Sequence, residues 1–203
     1  LGVGVGLAAT QRALVENVLR SAGCTAKDIG LVEAHGTGTA LGDPIEVESL
    51  TGAFGPLAPA TCALGSIKSN IGHLEAAAGV VGVIKVVLQL RHGRMVPTLH
   101  STTPNPDIDF ARSPFRLVHQ VQNWTGPRRA LVNSFGAGGA NGCALIEGVE
   151  RKPAQSGTTP NLLVLSARSR QSLLAQAKHL LGWLSAQDSP APVLCQPPAR
   201  FPL

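Results

Sequence analysis

The sequence predicts an α/β architecture, and three stretches carry that prediction. Asp28 to Ala34 is a short, mostly apolar run containing Glu33, and it leads through a glycine-spaced loop into a helix. Cys62 to Gly65 is a second brief strand, followed by a polar turn and a long apolar helix ending near His92-Gly93. Ala130 to Ser134 and Cys143 to Glu147 are two more strands, flanking the glycine-rich turn Phe135 to Gly142. Strand, glycine loop and helix in succession place functional loops at the carboxyl edge of a sheet.

Leu1 to Leu7, LGVGVGL, is apolar and glycine-spaced, with neither an initiating Met nor a polar lead-in, as in the interior of a longer chain. Gly2, Gly4 and Gly6 lack the spacing and the downstream acid of a dinucleotide fingerprint. Thr10 to Gly23 has the period of an amphipathic helix, with Thr10 as N-cap, Leu14, Val15, Val18 and Leu19 on one face, and Gly23 as its stop. In Glu33 to Leu50, EAHGTGTALGDPIEVESL, His35 follows the strand, Gly36 and Gly38 permit a tight loop, and Thr37 and Thr39 offer hydroxyls at alternating positions. Asp43 reads as the N-cap of the next helix and Pro44 as its first residue. The loop is not a nucleotide P-loop, because Asp43 stands where a lysine is needed and would repel phosphate.

Leu64 to Leu90, LGSIKSNIGHLEAAAGVVGVIKVVLQL, is polar and small up to Asn70, with Lys68 between two serines. From Gly79 it is apolar apart from Lys85 and Gln89, which predicts a turn feeding a buried helix. The small residues of Glu75 to Gly79 let that helix lie against a neighbouring backbone or leave room for a long substrate. His73 sits at the seam, where aligned peptide N–H groups favour negative charge and neutral imidazole. Taken alone, such a histidine fits a cap or a surface residue as well as an anion-stabilising group.

Met95 to Pro127 reads as irregular, broken by Pro97, Pro104, Pro106, Pro114 and Pro127, and as ordered loop anchored by Leu99, Ile108, Phe110, Phe115, Leu117 and Trp124. Arg151 to Pro160 is a polar linker. Leu162 to Leu165 follows as a strand and Ser169 to Ser185 as an amphipathic helix, whose leucine stripe suits docking to a neighbouring domain. The last fifteen residues hold five prolines and read as extended or disordered. Residues 1–150 thus form one domain part, and residues 151–203 a trailing linker.

The 203 residues suffice for one full domain or part of a larger one. Composition is globular, with 44% apolar and 14% charged residues. The net charge of +5 belongs entirely to the tail, since residues 1–150 hold eleven Lys/Arg against eleven Asp/Glu. That gives no support to a nucleic-acid surface on the main body, since affinity there rests on clustered cations. Cys24, Cys62, Cys143 and Cys195 form neither a zinc pair nor a disulfide framework, so reduced thiols in the cytoplasm are expected. No signal peptide is visible, and Val80 to Leu90 is too short for a bilayer and carries Lys85. No membrane partner and no metal are therefore expected.

EAHGTGT at Glu33 to Thr39, SIKSNIGH at Ser66 to His73 and NSFGAGGANG at Asn133 to Gly142 together resemble the C-terminal half of a ketosynthase, a β-ketoacyl-acyl-carrier-protein synthase. The likeness runs in order from about Leu7 to Glu147. The tail from Asn161 to Ser185, with LLVLSARS near its start, is similar to the linker that follows ketosynthases in modular polyketide synthases. The resemblance implies the C-terminal half of a thiolase-like, layered α-β-α-β-α fold, with the start of a post-ketosynthase linker. It implies decarboxylative Claisen condensation of a malonyl-type carrier-protein thioester with an acyl chain.

Carried over by position, His35 and His73 are the two active-site histidines and Lys68 the lysine that supports the second. Thr37 and Thr39 hydrogen-bond the phosphopantetheine arm of the acyl carrier protein, which is a substrate carrier, and no bound cofactor is implied. The Ala137 backbone N–H is an oxyanion donor, and its methyl side chain stands where related enzymes place a bulkier gate. The family's nucleophilic cysteine lies in the N-terminal half, and none of the four cysteines here has a comparable setting. The chain alone is therefore expected to be inactive in condensation, with that N-terminal half and homodimerisation completing the site. Asn141-Gly142-Cys143 departs from the Asn-Ala-His of polyketide members and is nearer the stand-alone fatty acid form. A different reading is a non-catalytic, truncated or split module that docks within an assembly line.

Overall fold

The computed structural model describes residues 2–136, 138–149 and 164–185. The chain divides into two compact units, Leu1–Val149 and Glu150–Leu203. In the first, the elements are α1 (Gly2–Ser21), β1 (Leu31–Glu33), α2 (Gly42–Phe54), β2 (Cys62–Gly65), α3 (Lys68–Ile71), α4 (Ala78–His92), β3 (Arg94–Met95), β4 (Phe115–Leu117), β5 (Gln122–Asn123), β6 (Arg129–Phe135) and β7 (Asn141–Glu147).

Five strands form one sheet in the order β4-β2-β1-β6-β7, and β3 pairs with β5 in a separate ribbon. β4, β2, β1 and β6 are parallel, while β7 returns antiparallel from β6. β1 lies at the centre, with Val32 opposite both Leu64 and Leu131. Both faces of this sheet are covered, which is why its strands read as continuous apolar runs. Val32, Leu64 and Leu131 point into a core shared with Val15 and Leu19 of α1 and Val47, Leu50 and Phe54 of α2. Their neighbours Leu31, Ala63, Ala130 and Val132 point the other way, onto Val86 and Leu90 of α4. Alternating side-chain direction along each strand thus supplies both cores.

α4 lies close to the sheet because Gly82 faces it: a Cβ there would stand 3.1 Å from Val132 Cγ1 and 3.3 Å from Glu33 Cγ. Gly93 ends the helix in the left-handed conformation, φ 64°, its N–H bonded to the Gln89 and Leu90 carbonyls. The helix is not buried all round, as the sequence suggests. Val80, Ile84, Val87 and Leu88 form an outer apolar stripe and are 45–57% exposed. An apolar sequence says that a face avoids water, but which residues are available to cover it is a matter of tertiary structure.

Three further expectations need correction. α1 starts at Gly2 rather than after Thr10, so Thr10 is not its N-cap. Glycine lowers helix propensity by about 1 kcal/mol without forbidding a helix. Asp43 and Pro44 lie inside α2, whose cap position is Leu41, and the Asp43 carboxylate instead accepts the Gly38 N–H at 3.1 Å. The Met95 to Pro127 segment is less irregular than its prolines suggest, since β4 follows Pro114 onto the edge of the main sheet. An edge strand can begin directly after a proline without losing a ladder bond. Phe115 and Trp124 are buried anchors, and Ile108, Phe110 and Leu117 pack from the rim, but Leu99 is 42% exposed.

In the second unit α5 spans Arg170–Ser185, and the Ser169 Oγ accepts the Ser172 N–H at 3.2 Å. Leu173, Leu174, Leu181 and Leu184 on it are exposed. Val164 and Leu165 are not in a strand, and the rest of the expected strand, the polar linker and the proline-rich end lie outside the described residues. No helix among the described residues is long and apolar enough to cross a membrane.

Candidate active site at the carboxyl edge of the sheet

Parallel register brings the carboxyl ends of β1, β2 and β6 to one edge, with Glu33 beside Gly65 and Val132. Each strand then hands over to a loop that carries a site residue. His35 lies two residues beyond β1, Lys68 three beyond β2, and Phe135 ends β6. His73, from the turn between α3 and α4, closes over His35 with ring centroids 5.4 Å apart and planes at 82°.

The hydrogen bonds fix the tautomer of both rings. The Phe135 N–H donates to His35 Nδ1 at 3.3 Å, and the Glu75 N–H donates to His73 Nδ1 at 2.9 Å. A nitrogen that accepts a backbone proton cannot carry one, so each neutral imidazole keeps its proton on Nε2. Each ring thus offers an Nε2–H donor, and the two rings are neighbours. Burial, the Lys68 charge and His73 together push the His35 pKa down to about 4, which keeps this ring neutral near pH 7. His35 is half-buried, whereas His73 is exposed.

A buried carboxylate holds the His35 loop in place. Glu46 Oε1 accepts the His35 N–H at 2.8 Å and Asn133 Nδ2 at 3.1 Å, and Oε2 accepts the Gly36 N–H at 2.9 Å. Burial raises the Glu46 pKa, opposed by these three bonds. A second buried carboxylate, Glu33, accepts the Ile67 N–H at 2.5 Å on Oε1 and Lys85 Nζ at 2.6 Å on Oε2. Burial raises the Glu33 pKa, and Lys85 works against it. Lys68 is half-buried, and burial lowers its pKa against the pull of Glu46, Glu33 and Asp43.

Thr37 and Thr39 face each other, Oγ1 to Oγ1, at 3.3 Å. Thr39 Oγ1 also accepts the Gly42 N–H at 3.1 Å, which satisfies one of the open N–H groups at the start of α2 from two positions before its cap residue Leu41. Thr37 and Lys68 line a cavity of about 750 Å³, walled opposite by Leu99, Ile108 and Phe110. Ala137 lies outside the described residues. Cys62 and Cys143 are pushed up to about 12 by burial, so both are thiols rather than thiolates. Cys24 donates to the Ala22 carbonyl at 3.4 Å, and Cys195 is outside the described residues. Among the described residues no cluster of His, Cys, Asp and Glu could hold a metal ion.

Sequence reasoning did not single out Glu46, Asn133 or the Glu33–Lys85 pair. A signal was present, since Glu46 interrupts the apolar face made by Val47 and Leu50, and Lys85 and Gln89 interrupt an apolar helix. What was missing was the partner of each.

The chain matches the family described as β-ketoacyl synthase, C-terminal domain, over residues 6–102. It matches the ketoacyl-synthetase C-terminal extension over residues 104–194. It is 44% identical over 192 residues to the polyketide synthase ThaG of Burkholderia thailandensis, covering 85% of this chain and 3% of that protein. Erythronolide synthase EryA3 of Saccharopolyspora erythraea is 45% identical over 189 residues, which cover 87% of this chain and 6% of that protein. Ketosynthase twelve of the bacillaene polyketide synthase of Bacillus amyloliquefaciens superposes with a TM-score of 0.79 at 39% identity, over 91% of this chain and 33% of that one. The module 1 ketosynthase of the bacillaene synthase of B. amyloliquefaciens gives 0.82 at 35% identity, over 90% and 34%. The chain thus spans about a third of these solved ketosynthases and a few per cent of the synthases.

Proposed function

We propose that this chain supplies the histidine half of a decarboxylative condensation site, because it belongs to the β-ketoacyl synthase family as the C-terminal half of a ketosynthase of modular polyketide synthases. Its fold is the corresponding part of the thiolase-like layered architecture. One observation carries the mechanistic reading: two imidazoles from separate turns meet, each with Nδ1 occupied by a backbone N–H.

The chemistry follows from those two donors. In a malonyl thioester the bond between the terminal carboxylate and the α-carbon breaks, carbon dioxide leaves, and the electron pair moves onto the thioester as an enolate. The Nε2–H groups of His35 and His73 hydrogen-bond the enolate oxygen, a preorganised stabilisation of about 2.7–4 kcal/mol per donor by comparison with oxyanion holes. The enolate carbon then attacks an acyl thioester on a cysteine, forming the new carbon–carbon bond and releasing the thiolate. That cysteine comes from the N-terminal half of the ketosynthase, in keeping with the protonated state of Cys62 and Cys143. The enzyme class is that of a 3-oxoacyl-acyl-carrier-protein synthase, an acyltransferase.

In this reading Lys68 supports His73 and the Ala137 N–H is a further oxyanion donor. Thr37 and Thr39 receive the phosphopantetheine arm of an acyl carrier protein. The complete enzyme is a cytoplasmic homodimer that needs no bound cofactor. The test is made in a full-length ketosynthase carrying these residues. His35→Ala and His73→Ala each slow malonyl-thioester decarboxylation by roughly 100-fold or more, while covalent acyl loading of the cysteine persists. Wild-type decarboxylation in both variants overturns the reading, and a full-length protein with no turnover favours a docking module instead.

A further inference from the structure

The segment that carries His73 is tied at both ends to one carboxylate. Upstream, the Ile67 N–H, one residue before Lys68, donates to Glu33 Oε1 at 2.5 Å. Downstream, Lys85 Nζ on α4 donates to Glu33 Oε2 at 2.6 Å. Glu33 is the last residue of β1, two residues before His35, and its side chain is 1% exposed against 6% for Lys85. The two oxygens of one buried side chain therefore hold two points of the segment on either side of His73.

A buried ion pair is weak as a device for stability, since well-packed apolar residues of similar volume replace such pairs at little or no loss. This pair is set where packing alone would serve, because α4 already lies so close to the sheet at Gly82 that an added Cβ would stand 3.3 Å from Glu33 Cγ. What an apolar pair could not provide is an acceptor for the Ile67 N–H. The neighbouring Glu46 grips the His35 loop directly, so the first imidazole has its own anchor. The second is tied to the strand below it through Ile67 and Lys85, beside the bond from the Leu99 N–H to Ser69 Oγ.

We propose that Glu33, neutralised by Lys85, is a positioning residue that clamps both ends of the His73 segment to the strand carrying His35 and so sets the separation of the two imidazoles. This rests on the condensation reading above. The clamp acts on geometry rather than on substrate affinity, so its loss lowers kcat and leaves KM in place.

The test compares two double variants in a full-length ketosynthase carrying this chain. Glu33→Leu with Lys85→Met removes the charges and the acceptor. Glu33→Gln with Lys85→Met removes the charges but keeps an acceptor for Ile67. The expected result is a fall in decarboxylation kcat of about 10- to 100-fold for the leucine variant at a KM within about two-fold of wild type. The glutamine variant stays within about three-fold, being the conservative rescue. Equal rates in the two variants, whether both normal or both slow, overturn the clamp. If the leucine variant does not fold, amide exchange of Ile67 in the wild-type enzyme decides: protection roughly 100-fold above the open turn supports the clamp, and exchange at the open-turn rate overturns it. A wild-type enzyme that decarboxylates no malonyl thioester sinks the condensation reading instead, and the exchange measurement still judges the clamp.

Discussion

The two histidine turns meet at one point but are built in opposite ways. The His35 turn is set into the sheet edge, with its backbone N–H groups held by the buried Glu46 and its ring backed by Phe135 at 5.7 Å. The His73 turn stands on the surface and closes on itself through the Glu75 N–H, with Glu75 at φ 47° and Gly72 at φ 74°. Its ties to the body run through Ile67 to Glu33 and through the Leu99 N–H to Ser69 Oγ. On this turn and the start of α4, Ile71, Leu74, Val80 and Ile84 are 41–57% exposed. The comparison teaches that one imidazole owes its state to the core of this chain, while the other is presented on a face suited to further protein.

The most damaging change to this contrast is Glu46→Ala, which leaves the His35 and Gly36 N–H groups without an acceptor in a buried setting. A loss of about 2–4 kcal/mol is expected, read as a lower urea midpoint, together with loss of the close His35–His73 approach. A midpoint within experimental error of wild type shows that the Glu46 anchor has no energetic weight.

Next come matched glycine changes in the two turns. Gly36 has φ 47°, and a Cβ there would stand 2.8 Å from the Ser66 Cβ, whereas Gly72 has φ 74° and nothing within 4 Å. Gly36→Ala should cost roughly 2–3 kcal/mol and Gly72→Ala about 1 kcal/mol, the latter being conformational strain alone. Equal losses in thermal or urea unfolding remove the distinction between a packed and an open turn.

The pH response sharpens the same comparison. The His35 pKa is lowered to about 4 in the folded chain from 6.5, so between these values the unfolded state binds more protons. The contribution of His35 is therefore fully present above about pH 6.5 and is lost as pH falls toward 4. The raised pKa values of Glu33, Asp43 and Glu46 act in the opposite direction. The effect is accordingly read as a difference, with His35→Gln showing a flatter fall in urea midpoint on acidification than wild type. Parallel curves contradict the assignment.

The smallest effect belongs to the outer face of α4. Ile84→Ser should change the stability of this chain by no more than about 0.5 kcal/mol, because the side chain is already 52% exposed. It should also reduce binding of a hydrophobic dye. A large loss of stability means that the face is covered within the chain.

Much of this was legible beforehand because it is local. The two central strands, the glycine stop of α4 and the positions of His35, Lys68 and His73 relative to them follow from runs of apolar residues broken by glycine. The start of α1 at Gly2 is not legible, because glycines in sequence imitate a break. β4 and β5 went unread because strands of two or three residues carry too little periodicity to register. Asp43 fits an N-cap by residue type but lies inside α2 and accepts the Gly38 N–H, since the same side chain can serve a loop or a helix start and spacing alone does not choose between them.

By itself the sequence determined the α/β class, the family of the chain and the residue types offered at the site. Only the tertiary structure decided that Glu33 meets Lys85 across 52 positions and that Glu46 meets Asn133 across 87. It also decided which nitrogen of each imidazole holds the proton. The reason is that a hydrogen bond between distant residues depends on strand register and helix placement, and those are set by the packing of the whole sheet rather than by the neighbours of either partner.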